Sequence, residues 1–318
     1  MLIGHEEPWA TWRAALAGDR MHHGWILAGK AGLGKAAFAA AAARELVAEA
    51  GQAMPATGAH PDIITLSHLP ASPTDEKKRE EGKPFEVKRS IGIAQIREMQ
   101  HRLVTRPTLG TRRAIIIDPA DDLEKPAANA LLKSLEEPPA GTFFLLVSHR
   151  PGRLLPTIRS RCRLLRFPAV DDAAIDTLLR DAVPDSDGAA RAAAIAAAQG
   201  APGTALQFIK EDLAEIYALM RQIVAEGDRG FSHRGKLARA IGARPGRERI
   251  QAVMELARGA LSSQMRTADG QRLARVIEAH SRLSKLTGIA PTYNFDPGLL
   301  IMDIGTLLAQ AAPDREAA

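Results

Sequence analysis

Short runs of uninterrupted apolar residues recur along the first half of the chain: Trp25–Ala28, Ile63–Leu66, Ala114–Ile117, Phe143–Val147 and Leu164–Phe167. Helical stretches separate most of them. Strands that lack a polar alternation are strands buried on both faces, so the pattern predicts a parallel sheet with helices on either side. Trp25–Ala28 runs into a glycine-rich turn, and the alanine-rich stretch 36–50 then reads as a helix. Strand, glycine loop and helix in that order make up a phosphate-binding α/β unit.

After Pro168 the strand signals stop. Residues 171–209 read as small helices broken at Pro184-Asp185-Ser186-Asp187-Gly188, and from Glu211 the helices lengthen. Ile250, Val253, Met254, Ala257 and Leu261 recur at helical spacing, as do Leu273, Val276, Ile277 and Leu283–Leu286, with Pro245-Gly246 and Pro291 as punctuation. The expected organisation is an α/β domain over residues 1–168, a small helical lid over 169–210 and an all-α domain over 211–318. One segment, Pro70 to Arg89, breaks the alternation with a run of mixed charges between prolines. It has little to bury and is expected to be a mobile surface loop or hairpin.

Composition narrows the class. A chain of 318 residues that is 46% apolar and 25% charged has the makeup of a soluble protein with two or three domains. A net charge of +5 permits contact with nucleic acid without requiring it. Cys162 is the single cysteine, which excludes an internal disulfide and a multi-cysteine zinc site. Residues 1–7 lack the basic segment and apolar core of a signal peptide, and no apolar run approaches the roughly 18 residues of a membrane span. The expected location is the cytoplasm.

The candidate chemistry starts at Gly29-Lys30-Ala31-Gly32-Leu33-Gly34-Lys35-Ala36. Gly29, Gly32, Gly34 and Lys35 match a phosphate loop, in which backbone N–H groups and a lysine cradle phosphate oxygens. Ala36 stands where a Ser or Thr hydroxyl would ligate Mg²⁺, and a methyl group cannot. Asp118 ends the strand Ala114–Ile117, where an acidic Mg²⁺ ligand is expected. Asp121 and Asp122 read as charges at the start of a helix. Further on, Pro126 suits a first helical turn, and Ala128, Leu131, Leu132 and Leu135 form one apolar face, while Asn129, Lys133 and Glu136/Glu137 lie on another. Arg97 and Arg102 read as lying near the start of a helix, where phosphate could be met, although a solvated face fits them equally.

Asn129–Pro139, Phe143–Ser148 and Leu155-Pro156-Thr157-Ile158-Arg159-Ser160-Arg161-Cys162 together resemble the clamp-loader subunits of bacterial DNA polymerase III, which belong to the AAA+ class. The likeness extends to Gly24–Lys35, His60-Pro61-Asp62, Gln95-Ile96-Arg97-Glu98 and Gly200–Ala205, in order over the first two thirds of the chain. It implies an AAA+ α/β domain, a helical lid and an oligomerising helical collar. It also implies that Arg161 is an arginine finger reaching a neighbour's ATP, and that Ser148 stands where a polar residue senses the γ-phosphate.

Hydrolysing relatives have a Glu where Pro119 stands and a nucleotide-sensing lid arginine where Thr204 stands. With Ala36, these departures resemble the non-hydrolysing delta-prime branch more than the gamma/tau motors. The implied partners are gamma/tau and delta subunits, with the sliding clamp and primed DNA met through the complex. No cofactor is required on this reading, and any ATP or ADP would bind weakly. Many relatives carry a four-cysteine zinc module before the His-Pro-Asp triplet; residues 51–59 contain no cysteine, so no zinc is expected. The alternatives are an ATP-hydrolysing motor with a relaxed pocket and a pure scaffold whose phosphate loop stays empty.

Overall fold

The computed structural model describes residues 3–18, 21–48, 60–243, 245–289 and 295–313. The zinc-module stretch 51–59 and the punctuating Pro291 lie outside the described residues. Two compact units make up the chain, Met1–Ala169 and Val170–Ala318.

The first unit runs α1 (Glu6–Ala17), β1 (Gly24–Ala28), α2 (Lys35–Val47), β2 (Ile63–Leu66), α3 (Pro73–Glu80), α4 (Ile93–Leu103), β3 (Arg113–Ile117), α5 (Lys125–Glu136), β4 (Thr142–Ser148), α6 (Pro156–Arg159) and β5 (Arg163–Arg166). The five strands form one sheet in the order β2-β3-β4-β1-β5. Every pairing is parallel, for example Trp25 with Leu145 and with Arg163, and Ile115 with Phe144. This is the α/β class that the apolar runs predict. The pleat divides the central strands β1, β3 and β4 between two cores. Ile26, Ile115, Ile117, Phe144 and Leu146 join Ile96, Met99, Leu131, Leu135 and Ile158 from α4, α5 and α6 in one cluster. The alternate residues Trp25, Leu27, Ala114, Ile116, Leu145 and Val147 are equally buried. An aromatic group of Trp9, Trp12, Trp25, Phe38 and Phe167 meets edge-on or tilted between α1, α2, β1 and the chain after β5.

Two expectations are corrected here. The charged segment after Pro70 is folded. Ser72 caps α3 by accepting from the Asp75 amide at 3.2 Å, Pro73 opens the helix, and Asp75 accepts from Ser72 Oγ, Lys78 Nζ and the Glu86 amide. Backbone bonds Ala71 N–Glu86 O and Lys88 N–Leu69 O close the base as an antiparallel pair. Capping and one carboxylate hub replace the apolar burial that the segment lacks. The second correction concerns Arg102. Gly92 is the N-cap of α4, so Arg97 is mid-helix and exposed, and Arg102 occupies the last turn and donates to Pro61 O at 3.3 Å. Arg102 therefore lies at the carbonyl end of the helix, away from the amide end that attracts phosphate.

Among the described residues the second unit is all helical: α7 (Asp172–Ala182), α8 (Gly188–Ala198), α9 (Pro202–Lys210), α10 (Ala214–Glu226), α11 (Ser232–Ile241), α12 (Arg247–Gln264), α13 (Gly270–Ile289) and α14 (Pro297–Gln310). Asp171 and Asp187 cap α7 and α8 through their side chains. Gln199, in the left-handed region at the end of α8, donates to Gly259 O of α12 at 2.8 Å, so short and long helices are bonded within one body. Val253, Met254, Ala257, Leu261, Val276 and Leu283 are buried as their spacing predicts. Ile277 is not; it stands 50% exposed, one position off the buried line of Val276, Ala279 and Leu283.

Candidate functional site

Parallel strands give the sheet a chemical polarity. Their carboxyl ends open onto loops that lead into helices, and ligands of open α/β sheets bind there. Gly29, Lys35, Asp118 and Ser148 all follow or end strands at this side: β1 ends at Ala28, β3 at Ile117 and β4 at Ser148. The loop after β1 needs its glycines. A Cβ on Gly29 would come within 2.8 Å of Phe167 O and 2.9 Å of Leu33 Cδ1, and Gly32 and Gly34 have φ of 78° and 79°. Gly34 is the N-cap of α2, which aims the helix's first amides at the loop.

Lys35 is the first residue of α2 and is 2% exposed. Its ammonium donates back into its own loop, to Gly29 O at 2.7 Å and Lys30 O at 2.5 Å. Burial pulls its pKa down to about 8, against the attraction of Asp121 and then Asp118. Asp118 is raised above the usual carboxylate range, first by burial, with Lys35 opposing. Lys35 and Asp118 are thus brought into one electrostatic neighbourhood.

Ser148 is fully buried, and its hydroxyl donates to Asp121 Oδ1 at 2.8 Å. Asp121 also accepts from the amides of His149 (2.5 Å) and Arg150 (3.3 Å). Asp121 lies in the first turn of a short 3-10 helix, Ala120–Asp122, as the helix-start reading has it, and its carboxylate also clasps the end of β4. His149 is held neutral, its pKa pushed down to about 4 by burial and then by Lys35. At Ala36 and Pro119, where the resemblance implies a magnesium hydroxyl ligand and a water-activating carboxylate in hydrolysing relatives, neither side chain has an oxygen. The donor set fits a phosphate better than a metal. Among the described residues no group of three or more His, Cys, Asp or Glu side chains is placed to hold an ion.

Arg161 lies at the other end of the sheet. It follows α6 and precedes β5, and Gly24, the first residue of β1, is so close that a Cβ there would meet Arg161 O at 3.1 Å and Cys162 Sγ at 2.9 Å. The phosphate loop begins after Ala28, four residue steps up the same strand, or about 13 Å at the rise of a strand. The side chain is 34% exposed. Its Nη1 donates to Thr157 O (3.0 Å) and Ser160 Oγ (3.2 Å), and its Nη2 meets Glu136 Oε1 at 2.7 Å. Burial pushes the Cys162 thiol up to about 12, so it stays protonated. Thr204 lies on the first turn of α9 in the second unit.

Three residues make long-range contacts of consequence that escape sequence reasoning. His5, buried before α1, holds Leu33 O through Nε2 at 2.5 Å and stacks edge-on against Phe167, pinning the phosphate loop. Asp121 and Glu136 complete the list. Each acts on a residue about 25 or more positions away, and no local pattern marks such a contact.

The family described as DNA polymerase III, delta subunit, matches residues 4–171 of the chain. The DNA polymerase III subunit delta′ of Pseudomonas aeruginosa is 33% identical over 237 residues, covering 69% of this chain and 67% of that protein. The same subunit of Escherichia coli is 32% identical over 211 residues, 63% of this chain and 58% of its own length. The DNA polymerase III subunit tau/gamma of Haemophilus influenzae is 27% identical over 301 residues, 90% of this chain and 39% of that protein. No helix among the described residues is long and apolar enough to cross a membrane.

Proposed function

The chain belongs to the delta-prime family of bacterial DNA polymerase III clamp-loader subunits, and from that premise we propose that it is the member of the loader that does not hydrolyse ATP itself but presents Arg161 to a neighbour's ATP. Its AAA+ α/β domain would sit beside a gamma/tau motor in the cytoplasm. With a delta subunit, the assembled complex would place the sliding clamp on primed DNA, as an accessory to a DNA-directed DNA polymerase.

The observation that carries this reading is the polarity of the sheet. Arg161 is at the amino-terminal edge, beside Gly24, while its own phosphate loop is at the carboxyl edge. A guanidinium so placed cannot reach its own loop and can act only on a nucleotide held by another subunit. There it would offset the charge that develops on the γ-phosphate. The cis site points the same way. Lys35 is spent on two carbonyls of its own loop, Ser148 on Asp121, and the positions of Ala36 and Pro119 supply neither a magnesium ligand nor a base. Those internal bonds also favour the scaffold reading, in which the loop stays empty.

The test is the reconstituted loader carrying Arg161→Ala. Fold and assembly should be near wild type, because a partly exposed arginine rarely decides either. An arginine finger is worth about 10³–10⁵ at one site, and this chain would serve one of several. The DNA- and clamp-stimulated ATPase should therefore fall in part, and clamp loading should fall more. Arg161→Lys should rescue poorly, since a point charge does not reproduce the planar fork. A variant complex that loads clamps at the wild-type rate makes Arg161 structural and overturns the assignment.

A further inference from the structure

We infer that Glu136 is a positioning residue for the arginine finger: it parks Arg161 on its own chain until a γ-phosphate on the neighbouring subunit displaces it. The inference rests on reading Arg161 as the finger and adds the residue that controls it.

The topology creates the pair. α5 starts after β3 at the carboxyl edge of the sheet and runs back to the amino-terminal edge, where β4 begins. Its last residue, Glu136, is thereby delivered to the edge that carries the Arg161 turn. Packing fixes both partners. Leu135, beside Glu136, is 1% exposed, and Ile158, in the helix before Arg161, is 1% exposed, both in one cluster. α5 is also tied to α4 by Gln100 Nε2, which donates to Ala130 O at 2.9 Å and Ser134 Oγ at 3.1 Å. Glu136 therefore stands on a rigid element, with its carboxylate 2.7 Å from Arg161 Nη2.

The contact suits a parking role because it is strong enough to orient the guanidinium and weak enough to yield. Both side chains are substantially exposed, 34% for Arg161 and 47% for Glu136. An exposed pair of this kind is screened by water and contributes little. A single carboxylate oxygen matches one N–H of the fork; a phosphate offers several oxygens and more charge to the same group. A γ-phosphate in the neighbour's site thus wins the exchange, and a nucleoside diphosphate, which has no oxygen there, leaves the pair intact. The consequence is a small barrier to firing that depends on the neighbour's nucleotide.

The test is a double-mutant cycle in the reconstituted loader, with ATPase measured without DNA and clamp. Glu136→Gln removes the charge at nearly constant shape. It should raise the unstimulated rate about two- to fivefold, the range set by an exposed ion pair. Glu136→Asp, which keeps the charge, should restore most of the wild-type rate. In the Arg161→Ala background Glu136→Gln should have no effect. A rate that is unchanged or lower in Glu136→Gln, with Arg161→Ala still impaired, overturns the parking role and leaves the finger standing. A rise that persists in Arg161→Ala shows that Glu136 acts elsewhere and also overturns it. An Arg161→Ala complex with wild-type stimulated ATPase and loading removes the finger, and the parking role falls with it.

Discussion

Raising the pH should release phosphate-bearing ligands from this chain, because the charge that would hold them rests on one lysine with an unusually low pKa. Burial brings Lys35 down to about 8. A phosphate that binds only the ammonium form has an affinity proportional to the protonated fraction. That fraction drops from roughly three quarters at pH 7.5 to roughly 3% at pH 9.5 for a group titrating near 8. Affinity for ADP or ATP should therefore fall on the order of 20-fold over two pH units, about 1.9 kcal/mol.

The terminal phosphate is close to fully ionised above about pH 7.5, so its own titration does not mask the effect. An ordinary lysine, titrating near 10.4, would give a nearly flat profile over the same range. The assay is equilibrium titration of the isolated chain with a fluorescent nucleotide between pH 7.5 and 9.5, with and without Mg²⁺. Binding should be weak at every pH, since the ligand must displace Lys35 from Gly29 O and Lys30 O. It should depend little on Mg²⁺, since Ala36 has no hydroxyl to offer. Lys35→Met should remove the pH dependence. A pH-independent affinity in the wild-type chain, or a strong requirement for Mg²⁺, would refute this account of the pocket. An absence of any binding at pH 7.5 would favour the scaffold reading.

Two further outcomes follow from named contacts. The purified chain should not turn over ATP measurably, because the positions of Ala36 and Pro119 supply neither a magnesium ligand nor a base; turnover that follows the protein through purification and is lost in Lys35→Ala would contradict it. Gly305→Ala should destabilise the second unit by about 1–3 kcal/mol through overpacking, seen as a lower thermal midpoint. The new Cβ would meet Arg234 Cγ at 2.5 Å, and Arg234 is anchored to Asp228 at 2.9 Å and to Thr306 at 2.8 Å, so it cannot swing aside. An unchanged midpoint would mean that this buried network is softer than its geometry implies.

What the sequence makes legible follows a physical divide. The central strands β1, β3 and β4 can be read from composition because strands covered on both faces must be apolar on both faces; the edge strand β5 is largely exposed and shows in the sequence only through Leu164, Leu165 and Phe167. The phosphate loop can be read because Gly32 and Gly34 take left-handed backbone and Gly29 has no room for a side chain. The buried face of α5 follows from spacing: Ala128, Leu131 and Leu135 are interior as predicted. Features that depend on one polar atom far along the chain are not legible. Asp75 holds α3 together through an amide eleven residues away, which charge counting cannot foresee. Gly92 starts α4 as a cap without a side-chain oxygen, so the Arg102 position slips by most of a helix. Asp121 reads as a helix-start charge and stands in the first turn of a 3-10 helix, but its clasp on Ser148 and two amides beyond it has no local signal.

One theme connects the three groups that an AAA+ site would aim at phosphate. Each has an oxygen of its own chain in the phosphate's place: two carbonyls for Lys35, the Asp121 carboxylate for Ser148, and the Glu136 carboxylate for Arg161. The three substitutions differ in how hard they are to undo. Ser148 is fully buried and Lys35 is 2% exposed, so freeing either strands a buried polar group, at a cost of about 1–3 kcal/mol for a neutral one and more for a charge. Arg161 and Glu136 face water, and parting them costs about 0–1 kcal/mol. On the proposed reading the bonds that close the cis site are buried and costly to undo, while the Nη2 side of Arg161 is held by an exposed pair that a well-placed phosphate can break, its Nη1 keeping Thr157 O and Ser160 Oγ. The proposed division of labour, in which the chain leaves hydrolysis to a neighbour and lends it Arg161, requires that difference in energy.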